Sequence, residues 1–173
     1  MDTSEDHAEP LSQDDDDNEI GPRGPLGLIN GFYDIECDDL DQWDNYSGEE
    51  FFLTIRLAGT AVWAEYDFGN FTGIMHMPRR PYSSSREKIP FHWRGREGGE
   101  GQMSFGPTNT GWVRFLLDHE IEGIINCYGN ARFRGWKAGS PGSHDIPDAA
   151  TMQAIWDGYN QRNYDEEARR RWR

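Results

Sequence analysis

The sequence predicts an all-β fold: an antiparallel up-and-down barrel of about eight to nine strands, with a C-terminal helix and a disordered acidic N-terminus. Three observations predict it. Between Gly31 and Trp136 large apolar residues alternate with polar ones, the period of strands that turn one face to a core. Glycine-bearing turns cut this alternation every ~8–12 residues. The connections are short, so strands adjacent in sequence pair in space, and closure into a barrel removes the exposed edges of such a meander.

Bulk composition fits one core with tails. The chain has 173 residues, 35% hydrophobic and 13% aromatic, with seven Trp, seven Tyr and nine Phe against two Cys. Aromatic side chains bury a large area each, which suits a compact β domain. The net charge of −14 is unevenly placed: residues 1–30 hold nine acids and one base, residues 31–50 eight acids and no base, and the rest is +2. An acidic arm on a near-neutral body argues against direct nucleic-acid binding; it either keeps the chain solvated or meets a basic protein surface. The opening MDTSEDHAEPLSQDDDDNEI joins no basic start to an apolar run, and no apolar stretch approaches the ~20 residues that span a bilayer. An intracellular location, cytoplasmic or nuclear, without membrane contact is expected. Cys37 and Cys127 lie in different predicted strands without Cys-x-x-Cys spacing; two buried thiols are the expectation, a cross-strand disulfide the alternative.

Taken in order, residues 1–30 read as a disordered leader ending in the Gly- and Pro-spaced GPRGPLG. In the first strand Tyr33, Ile35 and Cys37 share one face against Asp34 and Glu36. Asp38 to Asp44 forms a loop or short helical turn anchored by Leu40 and Trp43. Phe51, Leu53, Ile55 and Leu57 define a second strand, Ala58-Gly59-Thr60 a turn, and Val62, Ala64, Tyr66 and Phe68 a third strand. Phe71, Gly73, Met75 and Met77 follow, and Pro78, which lacks a ladder donor, ends that strand. Arg79 to Lys88 is a basic, serine-bearing loop with Arg79, Arg80, Arg86 and Lys88. It is a solvated connection, a docking site for acidic peptide or phosphate, a phosphorylation site at Ser83, Ser84 or Ser85, or an internal partner for the acidic leader.

Ile89, Phe91, Trp93 and Gly95 then face inward against His92, Arg94 and Arg96. Gly101, Met103 and Phe105 are expected inward, as are Gly111, Val113, Phe115 and Leu117, with Trp112 and Arg114 outward. Ile121, Gly123, Ile125 and Cys127, then Ala131, Phe133 and Gly135, complete the meander. Inward glycines fit coiled strands whose backbones approach closely. GREGGEG at 95–101 is followed by no helix signal, so it is not read as a phosphate loop. After the linker AGSPGSHD, Asp145 and Pro147 open a helix whose stripe is Met152, Ile155, Trp156 and Tyr159. It packs across a barrel mouth or outer wall, or it meets a partner groove or forms a self-association surface. Gly158 and Asn160 weaken its second half.

The chain carries no Ser-His-Asp, HExxH or paired Cys/His ligand pattern, so no catalytic residue, metal or cofactor is expected. If their strands pair, His76 and His92 converge with Arg94, Arg96, Glu65 or Asp67; solvent-facing residues are the competing interpretation.

The segments Gly31-Phe32-Tyr33, Val62-Trp63-Ala64-Glu65-Tyr66-Asp67-Phe68-Gly69 with Phe71-Thr72-Gly73-Ile74, Phe91-His92-Trp93-Arg94-Gly95-Arg96-Glu97, and Ile121-Glu122-Gly123 carry a resemblance. Across about residues 31–137 the chain resembles a small uncharacterised β-barrel domain common in filamentous-fungal proteins, with Trp-Arg-Gly-Arg-Glu its most specific block. That resemblance implies no catalytic residue. More distantly the strand order is similar to calycin (lipocalin-like) barrels, which hold small apolar ligands, with Gly-x-Tyr here in place of their Gly-x-Trp.

The organisation expected is a leader at 1–30, a barrel at 31–138 and a linker with an amphipathic helix at 139–173. The expected function is a non-enzymatic adaptor binding a protein partner through Arg79, Arg80, Arg86, Lys88, Trp156 and Tyr159. The alternative is a small apolar ligand held in a cavity lined by Tyr33, Phe91, Trp93, Met103, Phe115 and Phe133; an isomerase or cyclase with a His or Glu base in that cavity ranks third.

Overall fold

A computed structural model describes residues 26, 28–41, 50–69, 71–97, 101–127, 129–139 and 145–173. The strands are β1 (Gly31–Glu36), β2 (Phe51–Ala58), β3 (Ala61–Asp67), β4 (Phe71–Met77), β5 (Ile89–Glu97), β6 (Gln102–Ser104), β7 (Thr110–Phe115), β8 (Glu120–Asn126) and β9 (Asn130–Lys137). Three helices accompany them: α1 (Asp38–Asp41), α2 (Ala149–Gly158) and α3 (Gln161–Arg171). Every pairing is antiparallel, and β4–β5 and β1–β9 close the ring β1-β2-β3-β4-β5-β7-β8-β9. Short β6 pairs with Gly95–Glu97, beyond the part of β5 that pairs with β7. The predicted up-and-down barrel is therefore the fold. Most of the expected leader lies outside the described residues, as does the stretch around Trp43.

Local sequence explains the closure. β2 and β3 join through Gly59-Thr60, and Gly59 at φ +62° takes the left-handed conformation that a two-residue hairpin places on glycine. Leu117–His119 makes a short 3-10 turn between β7 and β8, with Asp118 and His119 both at φ 59°. Leu117, expected inward, is thereby carried out to solvent at 40% exposure.

The barrel interior is filled with side chains. Tyr33, Leu53, Ile55, Met75, Phe91, Val113, Phe115, Ile121, Ile125 and Phe133 are all nearly inaccessible. Rings lie where the inward glycines leave room. Tyr66 spans the cross-strand pair Gly73–Gly95; an added methyl would meet its hydroxyl at 2.8 or 2.5 Å. Phe91 likewise covers Gly111, and Phe133 covers Gly123. Tyr66, Phe68 and Phe133 then pack in sequence with centroids 5.4 and 5.6 Å apart, within the range of favourable ring contacts.

The outer wall of β3 and β4 carries a second apolar cluster, in which Trp63 and Ile74 pack against Met152 of α2, joined by Trp156 and Tyr159. The C-terminal segment thus packs on the outer wall. Its first helix starts three residues later than Asp145 suggests, because the Asp148 carboxylate accepts from the Thr151 N–H as N-cap. The predicted weak point is a break: Asn160 caps a separate α3 by accepting from the Asn163 N–H.

Three outward arginines fasten this segment. Arg56 donates to the Pro147 and Ile146 carbonyls at 3.2 and 3.1 Å. Arg94 donates to the Trp156 and Tyr159 carbonyls at the end of α2, its guanidinium 4.4 Å from the Trp156 ring centroid. Positive charge there suits the negative end of the helix. Arg96 forms a bidentate pair with Glu167 of α3 at 2.7 and 3.0 Å, which holds the Glu167 carboxyl below its usual range.

That arrangement corrects one expectation. Met103 pairs with Arg96 across the β5–β6 ladder and so shares its outward face, under α3, rather than the interior. Phe105 goes the same way, meeting Tyr164 edge-on at 6.1 Å. A helix laid over the wall makes outward positions apolar, and period-2 alternation alone does not distinguish them from inward ones.

Candidate functional site: a cationic-aromatic groove on the barrel wall

Opposite the helix-covered wall, β7, β8 and β9 present their outer faces to a groove of about 820 Å³. Its floor follows from register. Trp112, Ile124 and Arg132 form one cross-strand row, and Arg114, Glu122, Arg134 and Glu36 form the next, alternating in sign. Such rows arise because directly opposed residues share a face. Arg114 pairs with Glu122 at 3.2 Å, and Arg134 turns to Glu120 at 2.8 Å.

The basic loop supplies the groove's upper rim. The Ser85 N–H donates to the Phe115 carbonyl at 3.0 Å, laying the loop along the end of β7, and Ser84 is buried. Arg86 and Lys88 consequently reach the groove. The Lys88 ammonium stands 5.1 Å from the Trp112 ring centroid and the Arg114 guanidinium 4.8 Å from it. An indole contacted by two cations is an electron-rich surface beside a positive rim. At the other end Glu36, Asp38 and Asp39 line the groove, and the Asp39 carboxylate accepts from the Arg132 N–H. The groove is therefore polarised, basic toward the loop and acidic toward α1.

The remaining predicted partner residues divide between two places. Arg79 pairs with Glu87, and Arg80 lies over the Tyr82 ring at 4.9 Å, both on the basic loop. Trp156 and Tyr159 lie on the opposite wall, where Trp156 meets Trp63 edge-on at 5.8 Å. The structure does not bring the two sets together.

Of the residues expected around a cavity, Tyr33, Phe91, Phe115 and Phe133 are interior packing. Burial raises the Tyr33 hydroxyl pKa well above its usual value, and that hydroxyl donates to the Ile29 carbonyl at 2.8 Å. Trp93 also borders a pocket of about 270 Å³ at the opposite mouth, with Phe71, Ser104, Thr108, Asn109, Asn126 and Cys127. Its indole N–H donates to the Asn126 carbonyl at 3.2 Å. Cys37 and Cys127 are both buried, and burial, aided by Cys37, pushes the Cys127 thiol up to about 12.

The conditional histidine pair forms: His76 stands opposite His92 across β4–β5. His76 packs tilted against Trp63 with ring centroids 4.2 Å apart and meets Trp156 at 5.9 Å, beside α2. Burial, then His92, lowers its pKa. Nearby Glu65 is raised, first by burial and then by Asp67. Among the described residues no cluster of three or more His, Cys, Asp or Glu could hold a metal ion, and no helix is long and apolar enough to cross a membrane.

Sequence reasoning placed Trp112 outward without singling it out. The signal was an outward Trp between inward Gly111 and Val113, two positions from Arg114. No family model matches the chain, and no curated protein or solved structure matches it either.

Proposed function

We propose that the protein is a protein-binding module whose barrel is a rigid scaffold and whose β7–β9 groove docks an extended acidic segment of a partner. One observation carries this reading: Trp112 has the Lys88 ammonium at 5.1 Å and the Arg114 guanidinium at 4.8 Å from its ring centroid, in a wall groove of about 820 Å³ whose rim Arg86 extends. Acidic side chains would pair with the rim, and an apolar or aromatic neighbour would lie on Trp112 and Ile124. The acidic end at Glu36, Asp38 and Asp39 sets polarity and opposes a uniformly anionic nucleic-acid backbone. The two buried thiols support an intracellular setting, cytoplasmic or nuclear.

The test is fluorescence anisotropy with labelled Asp/Glu-rich, Lys/Arg-rich and oligonucleotide probes at low salt. With Asp14→Asn, Asp15→Asn, Asp16→Asn and Asp17→Asn in both proteins, so that the chain's own acids do not compete, the acidic peptide should bind, lose affinity as salt rises, and bind at least about tenfold more weakly to Lys88→Glu, the scale of ~1.4 kcal/mol. Indifference of the acidic peptide to that charge reversal removes the proposal.

A second reading has its own observation, the mouth pocket beside Trp93. A small ligand with an apolar ring and hydrogen-bonding edges would fit there, as the calycin likeness suggests. A retained stoichiometric mass in native mass spectrometry, lost on Trp93→Leu, would favour it.

A further inference from the structure

We infer that the groove is regulated in cis, its basic rim being the docking place of the chain's own acidic leader, Asp14 to Glu19; this rests on the groove reading above. Charge complementarity is the first ground. The segment DDDDNE carries five acids in six residues, and the rim offers Arg86 and Lys88, the latter over Trp112, above the floor pair Arg114–Glu122.

The second ground is where the leader joins the barrel. The Lys137 ammonium donates to the Leu28 carbonyl at 2.6 Å, and the Asn30 side-chain oxygen accepts from the Leu57 N–H at 3.1 Å. The chain therefore enters at the mouth formed by the start of β1 and the ends of β2 and β9. The basic loop, joining the end of β4 to the start of β5, lies at that same mouth. From β1 round the ring to β7 is three strand spacings, about 14 Å. Asp14 to Asp17 precede Leu26 by nine to twelve residues, and such a length spans up to ~30–40 Å. Reach is sufficient, and the acidic Glu36–Asp39 end disfavours the leader farther along.

Attachment makes the contact effective. A short tether presents its own segment at about millimolar concentration, so a contact of ~0.1 mM intrinsic affinity competes with an added acidic peptide about tenfold. Anything that neutralises or removes the leader would open the groove.

The experiment uses the full chain and a fluorescein-labelled peptide with the sequence Glu9–Ile20. Three proteins are compared: native; a neutral-leader variant with Asp14→Asn, Asp15→Asn, Asp16→Asn and Asp17→Asn; and that variant with Arg86→Glu and Lys88→Glu added. The neutral-leader variant should bind the peptide about tenfold more tightly than native, and the rim reversal should abolish the gain. The difference should collapse near 1 M salt, where screening acts over ~3 Å. Equal, measurable affinity of native and neutral-leader proteins overturns the inference and leaves the groove reading intact. No binding by the neutral-leader variant sinks both. A native dimer in sedimentation velocity that the neutral leader dissolves assigns the segment to a second copy and overturns the cis contact.

Discussion

Alanine at Gly123 should destabilise the barrel even though general backbone arguments favour it. Gly123 has ordinary extended backbone in the middle of β8, where replacing glycine normally gains ~0.5–1 kcal/mol through the unfolded chain. Packing opposes that gain. The new methyl would press on the Trp112 carbonyl oxygen and stand 2.6 Å from Cζ of Phe133. Phe133 is 1% exposed and packed at 45° against Phe68, so its ring has nowhere to retreat. Overpacking of this kind costs ~1–3 kcal/mol, giving a net loss of about 1–2 kcal/mol and several degrees in Tm. Gly135 is the control: its methyl would first meet the terminal Cδ1 of Ile35 at 2.5 Å, with Ile121 Cγ1 at 3.0 Å and the Asp34 carbonyl oxygen, its one backbone neighbour there, at 3.1 Å. A flexible side-chain end yields cheaply, so Gly135→Ala should stay within about 1 kcal/mol of native. Urea unfolding followed by tryptophan fluorescence measures both. In a double-mutant cycle Phe133→Leu should recover part of the Gly123→Ala loss. A neutral or stabilised Gly123→Ala would show that the rings do not rest on the glycines, and the filled interior would fall with it.

Further predictions concern the rest of the molecule. Arg94→Ala removes two charged hydrogen bonds and the contact with Trp156, and should cost about 2 kcal/mol with loss of far-UV helix signal; an unchanged helix signal would place the clamp elsewhere. Glu65 has a raised folded pKa from burial and Asp67, so its contribution is favourable below the unfolded value of 4.5 and is lost as pH rises through the folded value. Glu65→Gln should therefore raise Tm at pH 7 and lose that advantage near pH 4; the opposite trend refutes the assignment. His76 has a lowered folded pKa, and its contribution, present above the unfolded value of 6.5, should be lost as pH falls through that value toward the folded one. His76→Gln should flatten that acid limb in thermal melts. Cys127, with its thiol pushed up to about 12, should resist maleimide in the native protein and react only on unfolding; rapid native labelling would contradict its burial.

The barrel was legible because period-2 alternation is a strong signal where one face is buried: Tyr33, Ile35 and Cys37 face inward as read, and Gly73 and Gly95 sit where strands crowd. Alternation fails where both faces are covered. Met103 and Phe105 read as inward because nothing local reveals that α3 lies over β6. Gly158 and Asn160 carried the helix break in their own propensities, whereas the cap moved to Asp148 through a hydrogen bond with Thr151. The groove was half legible. Arg86 and Lys88 were visible as a basic loop, but placing them beside Trp112 needs the Ser85 contact with β7, a pairing of residues far apart in sequence. Arg94 and Arg96 were readable as outward charges, yet their role in holding α2 and α3 depends on tertiary contact.

The most direct test of the groove is a two-dimensional ¹H–¹⁵N titration of the full chain with an Asp/Glu-rich peptide. Among the indole signals of seven tryptophans, Trp112 should shift most, with the amides of Arg86, Lys88, Arg114 and Ile124, while Trp93 and Trp156 stay still. Shifts centred on Trp93, or none at all up to millimolar peptide, would contradict the account.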